Sequence, residues 1–219
     1  MDEKKQPELE HRQRAASAMN RLSHALVRHN SHPDVLDLIA REAERLAESI
    51  EREPVRERTL EFVESFRFRE AKAEGGNPVP PDGAFVDVFQ DSPVSGSANP
   101  LSIGLKIASF PDHVEGRVTL APGWQGAPGR GHGGVTAAIV DEVFGALLPI
   151  LGVAAFTGEL TIRYVGPCPM GVPLTFSAHE TGHEGRKRYF TLEGSSDDGV
   201  FVRATAIFVE TDLAHFESG

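Results

Sequence analysis

The chain has 219 residues, 40% of them hydrophobic, and a formal net charge of −10. That is enough for one globular domain plus an appendage, and the acidic balance argues against nucleic acid or a membrane surface as main partner. A single cysteine, Cys168, excludes an internal disulfide framework and suits a reducing compartment.

No apolar run approaches the roughly 20 residues that span a bilayer. The N-terminus has no apolar segment behind it, so no signal peptide is expected and the location read from the sequence is cytoplasmic. From about Glu8 to Glu53 the chain is rich in Ala, Leu, Arg and Glu. Ala15, Met19, Leu22 and Leu26 recur at helical spacing, the pattern breaks at His29–Pro33, and Val35, Leu38, Ile39, Ala43, Leu46 and Ile50 resume it. This reads as a helical hairpin with one apolar stripe that must pack on something. Pro33 suits the first turn of the second helix, and Asp34 and Asp37 suit its positive end. His11, His24, His29 and His32 do not have the spacing of a tetrahedral metal set and read as solvated or capping residues.

Residues 1–75 form the hairpin and linker in this reading, 76–102 a connecting loop region, 103–212 the main domain and 213–219 a tail. Leu60, Val63 and Phe66 suit a short helix, and Glu74 to Gly83 is a break in regular structure. Ser92 to Leu101 is polar and turn-prone. Ile103–Ser109 and Val114–Leu120 flank the turn Pro111-Asp112-His113 and predict a hairpin. Ala121–Arg130 is a Gly/Pro loop carrying the only tryptophan, Trp124.

Gly131 to Leu148 then reads as a glycine-rich loop running into a helix apolar on every side, through Val135, Ala138, Ile139, Val140, Val143, Phe144, Ala146 and Leu147. Two glycines at its start leave backbone N–H groups uncovered. Into the apolar surface the sequence sets two adjacent acids, Asp141 and Glu142, costly there unless paired, hydrated or used. Donors at a helix tip plus an acid in an apolar wall can polarise a carbonyl and attack it. Four strand-like runs follow, Phe156–Val165, Val172–Thr181, Lys187–Ser196 and Val200–Glu210, separated by Gly/Pro/Asp turns. Tight turns imply antiparallel pairing, so the fold class is α+β, a sheet curled round one long helix.

The sequence His132-Gly133-Gly134, with Asp141 nine positions after His132, is similar to the motif of the hot-dog-fold acyl-CoA thioesterases, in the branch around the PaaI-like enzymes. Phe156 to Tyr164 resembles the strand after the hot-dog helix, Gly166-Pro167-Cys168-Pro169 the turn closing it, and Glu184-Gly185-Arg186-Lys187 a turn before the penultimate strand. The likeness covers about Asn99 to Glu210 and says nothing of the residues before it.

That resemblance implies a thioester carbonyl bound by the Gly133 N–H with Gly134 assisting. It implies Asp141 as general base or as nucleophile through a mixed anhydride, and Thr157 as the hydroxyl that holds the water or the acid. Arg163, Arg186 and Lys187 fall where the family contacts coenzyme A, and Asn99 falls where the thioester is positioned. His132 belongs to the same catalytic motif, with its side chain read as bracing the loop. No metal and no organic cofactor is implied. Phe144, Phe156 and Trp124 are candidates for the pocket wall, which suits aromatic and aliphatic acyl groups alike.

Other readings of the same residues stand beside this one. Asp141 also reads as a satisfied acid bonded to a strand hydroxyl or an arginine, Glu142 as the alternative base, Thr157 as an ordinary strand residue, and Arg186 and Lys187 as solvated turn charges. Cys168, between prolines, lacks a paired His and acid, which argues against a thiol nucleophile. A non-catalytic acyl-CoA-binding module of the same fold is the rival function; a hot-dog dehydratase would need a differently spaced His and acid. Gly133 and Asp141 are about 12 Å apart along one helix, too far for one carbonyl to use both. Two antiparallel copies of the helix bring Gly133 of one against Asp141 of the other, so a homodimer or homotetramer with a shared site is expected.

Overall fold

The computed structural model describes residues 5–56, 83, 85–86 and 89–211. The expectations for Leu60, Val63 and Phe66, for most of Glu74–Gly83 and for the tail lie outside those residues.

Two helices open the described chain, α1 (Lys5–Arg28) and α2 (Pro33–Ile50). Pro33 stands in the first turn of α2, and His32 caps it by accepting the Asp34 amide on Nδ1 at 3.3 Å. The expected apolar stripe is present but not covered. Met19, Leu22 and Leu26 of α1 are exposed, and α2 has no buried residue. The face of α1 that docks is instead the row Arg12, Ala16, Asn20 and His24. Ala16 is buried there, Asn20 Nδ2 donates to the carbonyls of Pro100 and Ser102 at 3.0 and 2.9 Å, and Arg12 pairs with Asp91. The surface it meets presents backbone carbonyls and a carboxylate, so polar side chains at i, i+4 spacing make the contact.

Seven antiparallel strands follow: β1 (Phe85–Val86), β2 (Lys106–Ser109), β3 (Val114–Thr119), β4 (Ala155–Tyr164), β5 (Pro173–Glu184), β6 (Lys187–Ser196) and β7 (Gly199–Glu210). They form one sheet in the order β1-β2-β3-β5-β6-β7-β4, which leaves β4 at an edge. Between β3 and β4 the chain crosses over the sheet as α3 (Gly133–Gly145) and the short α4 (Leu147–Leu151). The expected single helix is therefore broken at Ala146. By length and composition Gly133–Leu151, 19 residues of mean hydropathy 1.7, is apolar enough to cross a bilayer. That corrects the expectation that no such run exists. In the fold this stretch is the core helix, because the sheet curls round it.

Alternation along the strands builds the core. Phe176, Ala178, Phe190, Leu192, Ala204, Ala206 and Phe208 point inward and are buried against Ile139, Val140, Val143 and Phe144 of α3. Phe144, Phe190 and Phe208 stack within 5.1 to 6.4 Å of one another. Each such side chain contributes about 1.5–3 kcal/mol by leaving water. Phe144 is thus a core residue, not part of a pocket wall.

Candidate active site

The site is organised by the two ends of α3. At its start His132 has extended backbone (φ −66, ψ 133), and its Nδ1 accepts the Gly134 amide at 3.0 Å while its carbonyl accepts the Thr136 amide at 3.0 Å. The histidine is an N-cap. The Gly134 amide is therefore bonded within the cap; among the described residues the Gly133 N–H has no partner and stays at the positive helix end. The loop before it is held from both sides, the Gly131 amide donating to Cys168 and the His132 amide to Trp124, each at 2.9 Å. A cavity of about 260 Å³ opens here, lined among others by Arg130, His132, Gly133, Tyr164 and Cys168. Burial pushes the Cys168 thiol up, against a weaker opposing hydrogen bond from Thr136, which suits a neutral wall residue.

Tyr164 was not singled out from the sequence as a site residue. Its hydroxyl donates to the Gly133 carbonyl at 2.8 Å and pins the helix tip to the end of β4. The available signal was an aromatic with a hydroxyl on the inward-facing alternation of Leu160 and Ile162.

Two turns along α3, Asp141 is half-buried and its Oδ1 accepts the Thr157 hydroxyl at 2.8 Å. Among the described residues it has no ion pair. Thr157 reaches it because the β4–β7 register shifts between Thr157 and Glu159. That bulge keeps Thr157, opposite Phe208, and Leu160, opposite Ala206, both on the helix side despite their odd spacing. Helix and strand run in opposite directions, so β4 is tied to the tip at Tyr164 and to the acid at Thr157. Glu142 stands about 100° round the helix. Its Oε1 accepts the hydroxyls of Ser92, at 2.6 Å, and of Ser95. These bonds hold the 92–95 turn on α3.

The remaining candidates divide by place. Asn99 stays within its own loop, Nδ2 donating to the Asp91 carbonyl and Oδ1 accepting the Leu101 amide, both at 2.8 Å. Among the described residues its side chain bonds only within that loop. Arg163 is exposed on β4, and alternation sets it on the sheet face opposite to Tyr164, away from the helix tip. Arg186 and Lys187 lie at the acid's end of the sheet. Lys187 is opposite Val209, which is opposite Phe156, so the turn is two strand spacings, roughly 10 Å, from the start of β4. Arg186 Nε donates to the Glu210 carbonyl at 2.9 Å. Phe156 is exposed, while Trp124 is half-buried against α1 and does not line the cavity.

Arg188 was missed. It occupies the inward alternation of Phe190 and Leu192, where a charge is itself a signal, and bonds Glu210 at 2.5 Å and Glu180 at 2.8 Å. Burial works against its charge, but the two carboxylates outweigh it and hold the guanidinium above its ordinary value.

With this geometry in place, a sequence model described as the thioesterase superfamily matches residues 129–206. Acyl-coenzyme A thioesterase THEM4 of Mus musculus is 34% identical over 116 residues, 50% of each chain. The protein of the same name from Xenopus laevis is 30% identical over 114 residues, 49% of this chain and 51% of its own. The chain spans about half the length of these curated relatives. A crystal structure of a thioesterase superfamily protein is 30% identical and covers 90% of both chains with a TM-score of 0.74.

Proposed function

The chain belongs to the thioesterase superfamily of hot-dog proteins, and on that premise we propose that it hydrolyses acyl-coenzyme A to a free acid and coenzyme A, at a site shared between two copies of the chain. The observation that carries this reading is the pairing on one helix of a Gly133 amide that has no partner among the described residues with an Asp141 carboxylate that has there one hydroxyl partner and no cation. The thioester carbonyl oxygen accepts the Gly133 N–H, whose fixed dipole stabilises the charge that develops on it. Thr157 occupies Asp141 Oδ1 and leaves Oδ2 for a water. Asp141 takes a proton as the water oxygen bonds to the carbonyl carbon. The tetrahedral intermediate then collapses, the C–S bond breaks, and the proton passes to the departing thiolate.

Within one chain the donor and the acid are about 12 Å apart along the axis. Both groups belong to the same helix, so no movement of that helix against β4 closes the gap. A second, antiparallel copy supplies the missing half. The exposed edge strand β4, with Phe156 46% and Tyr164 52% accessible, supports this, since a long edge with apolar exposure is a surface that pairs. Arg186 and Lys187, at the acid's end, are the cations offered to the coenzyme A phosphates.

The test is release of free thiol from a panel of aromatic and aliphatic acyl-CoAs. Turnover that falls by about 10² to 10⁴ in Asp141→Asn supports the assignment. An Asp141→Asn protein with wild-type rate removes it, and saturable binding without thiol release by the wild type makes the chain a binding module instead.

A further inference from the structure

We propose that helix α1 splints the N-cap of the catalytic helix, with His24 as the positioning residue that carries the contact. The inference rests on the reading of the Gly133 N–H as the carbonyl donor. It concerns a helix outside the 129–206 family match, which the likeness to hot-dog domains does not explain.

The path is short and made of single hydrogen bonds. His24 Nδ1 accepts the Gly123 amide at 3.0 Å, and its ring meets Trp124 edge-on at 5.5 Å. The approach needs a glycine, because a Cβ on Gly123 would sit 2.5 Å from His24 Nδ1. The next residue, Trp124, accepts the His132 amide on its carbonyl at 2.9 Å, and a bridge between Gln125 and Gly131 ties the same two segments again. His132 caps the helix through Gly134. The peptide whose N–H is left free, His132–Gly133, is therefore aimed by a residue that hangs from the turn His24 holds. Loosening that turn lets the peptide rotate and the donor miss its oxygen.

The other end of α3 is referred to the same helix. Arg12, Gln13 and Asn20 fasten α1 to the loop at Asp91, Ser97, Pro100 and Ser102. That loop reaches α3 through Ser92 and Ser95 on Glu142, the neighbour of Asp141. Donor and acid are thus both braced from α1, on the face where its polar residues recur at helical spacing.

The experiment uses the full chain and three readouts: steady-state thiol release, hydrogen exchange of amides 124–134, and the emission of Trp124, the only tryptophan. His24→Leu keeps bulk and removes the acceptor; His24→Asn keeps an acceptor near the position of Nδ1. His24→Leu is expected to lower kcat about tenfold with KM within about twofold. It should also speed exchange at 124–134 by about five- to tenfold and shift the Trp124 emission. His24→Asn should recover kcat to within about threefold and restore the slow exchange. Gly123→Ala, which displaces the same ring from the other side, should reproduce the local loosening if His24→Leu unfolds the chain. Wild-type exchange at 124–134 in both His24→Leu and Gly123→Ala overturns the splint, as does a kcat loss that His24→Asn does not recover. Absence of thiol release by the wild-type chain refutes the thioesterase reading alone, since exchange and emission still decide whether α1 holds the cap.

Discussion

The proposed sharing of the site predicts that it can be split between two inactive chains. Gly133 is the first residue of α3, where proline is tolerated and removes only the N–H. Its predecessor His132 already has the extended backbone that proline demands (φ −66, ψ 133). The Tyr164 bond to the Gly133 carbonyl survives the change. Gly133→Pro should therefore fold and lose about 10² to 10³ in kcat, the cost of one carbonyl-polarising donor. Asp141→Asn loses about 10² to 10⁴. When the two variants are refolded together in equal amounts, about half of the dimers are mixed. In a mixed dimer one site pairs an intact Gly133 with an intact Asp141, and the other combines both defects. One working site of two in half of the dimers predicts about a quarter of wild-type turnover, from two proteins that are each nearly dead. Initial thiol-release rates at saturating acyl-CoA measure it, with size-exclusion chromatography confirming the mixed species. If the mixture is no faster than its better component although mixed dimers form, donor and acid act within one chain and the shared-site mechanism is refuted.

Three further outcomes are expected. Thr157→Val removes one hydrogen bond to a carboxylate, about 1.5–3 kcal/mol, so kcat should fall about 10- to 150-fold; added to Asp141→Asn it should cost less than about threefold, and full additivity would mean that Thr157 does not act through Asp141. Glu142→Ala leaves the Ser92 and Ser95 hydroxyls without their acceptor and should lower stability by about 1–3 kcal/mol in urea unfolding, while the folded fraction keeps a rate within about tenfold of wild type; a folded Glu142→Ala protein as inactive as Asp141→Asn would move the base to Glu142. Burial lowers the His24 pKa below its ordinary 6.5, so the unfolded chain binds a proton that the native chain refuses, and this contribution is present above pH 6.5 and lost as pH falls through the lowered value. Unfolding free energies between pH 7.5 and 5 should slope less in His24→Asn, and equal slopes would rule the effect out.

The parts of this site that follow from neighbours in sequence were legible before the structure. His132 and the two glycines announce a capped helix tip, and the turns Glu184-Gly185-Arg186-Lys187 and Asp197-Asp198-Gly199 place both ends of β6 and the start of β7 within a residue or two. Thr157 was legible through the likeness of its strand, although the bulge that turns it toward Asp141 was not. A register shift is decided by the strand alongside, and Phe208 lies far off in sequence.

What the pattern of apolar residues misled on was α1, and the reason is physical. Hydrophobic periodicity selects Ala15, Met19, Leu22 and Leu26 because burial usually removes apolar area from water. The surface that α1 meets offers the carbonyls of Pro100 and Ser102, the amide of Gly123 and the carboxylate of Asp91. Such groups lose more by being covered without partners than a few exposed methyl groups lose by staying wet. The docking face is therefore the one that satisfies them, Arg12, Asn20 and His24. The same balance explains Glu142, a costly charge on a core helix by sequence alone, which the Ser92 and Ser95 hydroxyls make a fastening for the loop that α1 holds. Asp141, one residue earlier, has among the described residues only Thr157 to satisfy it. A half-buried carboxylate with an oxygen to spare, on the side of the helix where the sheet ends at β4, is where the proposed mechanism puts a water and the second copy.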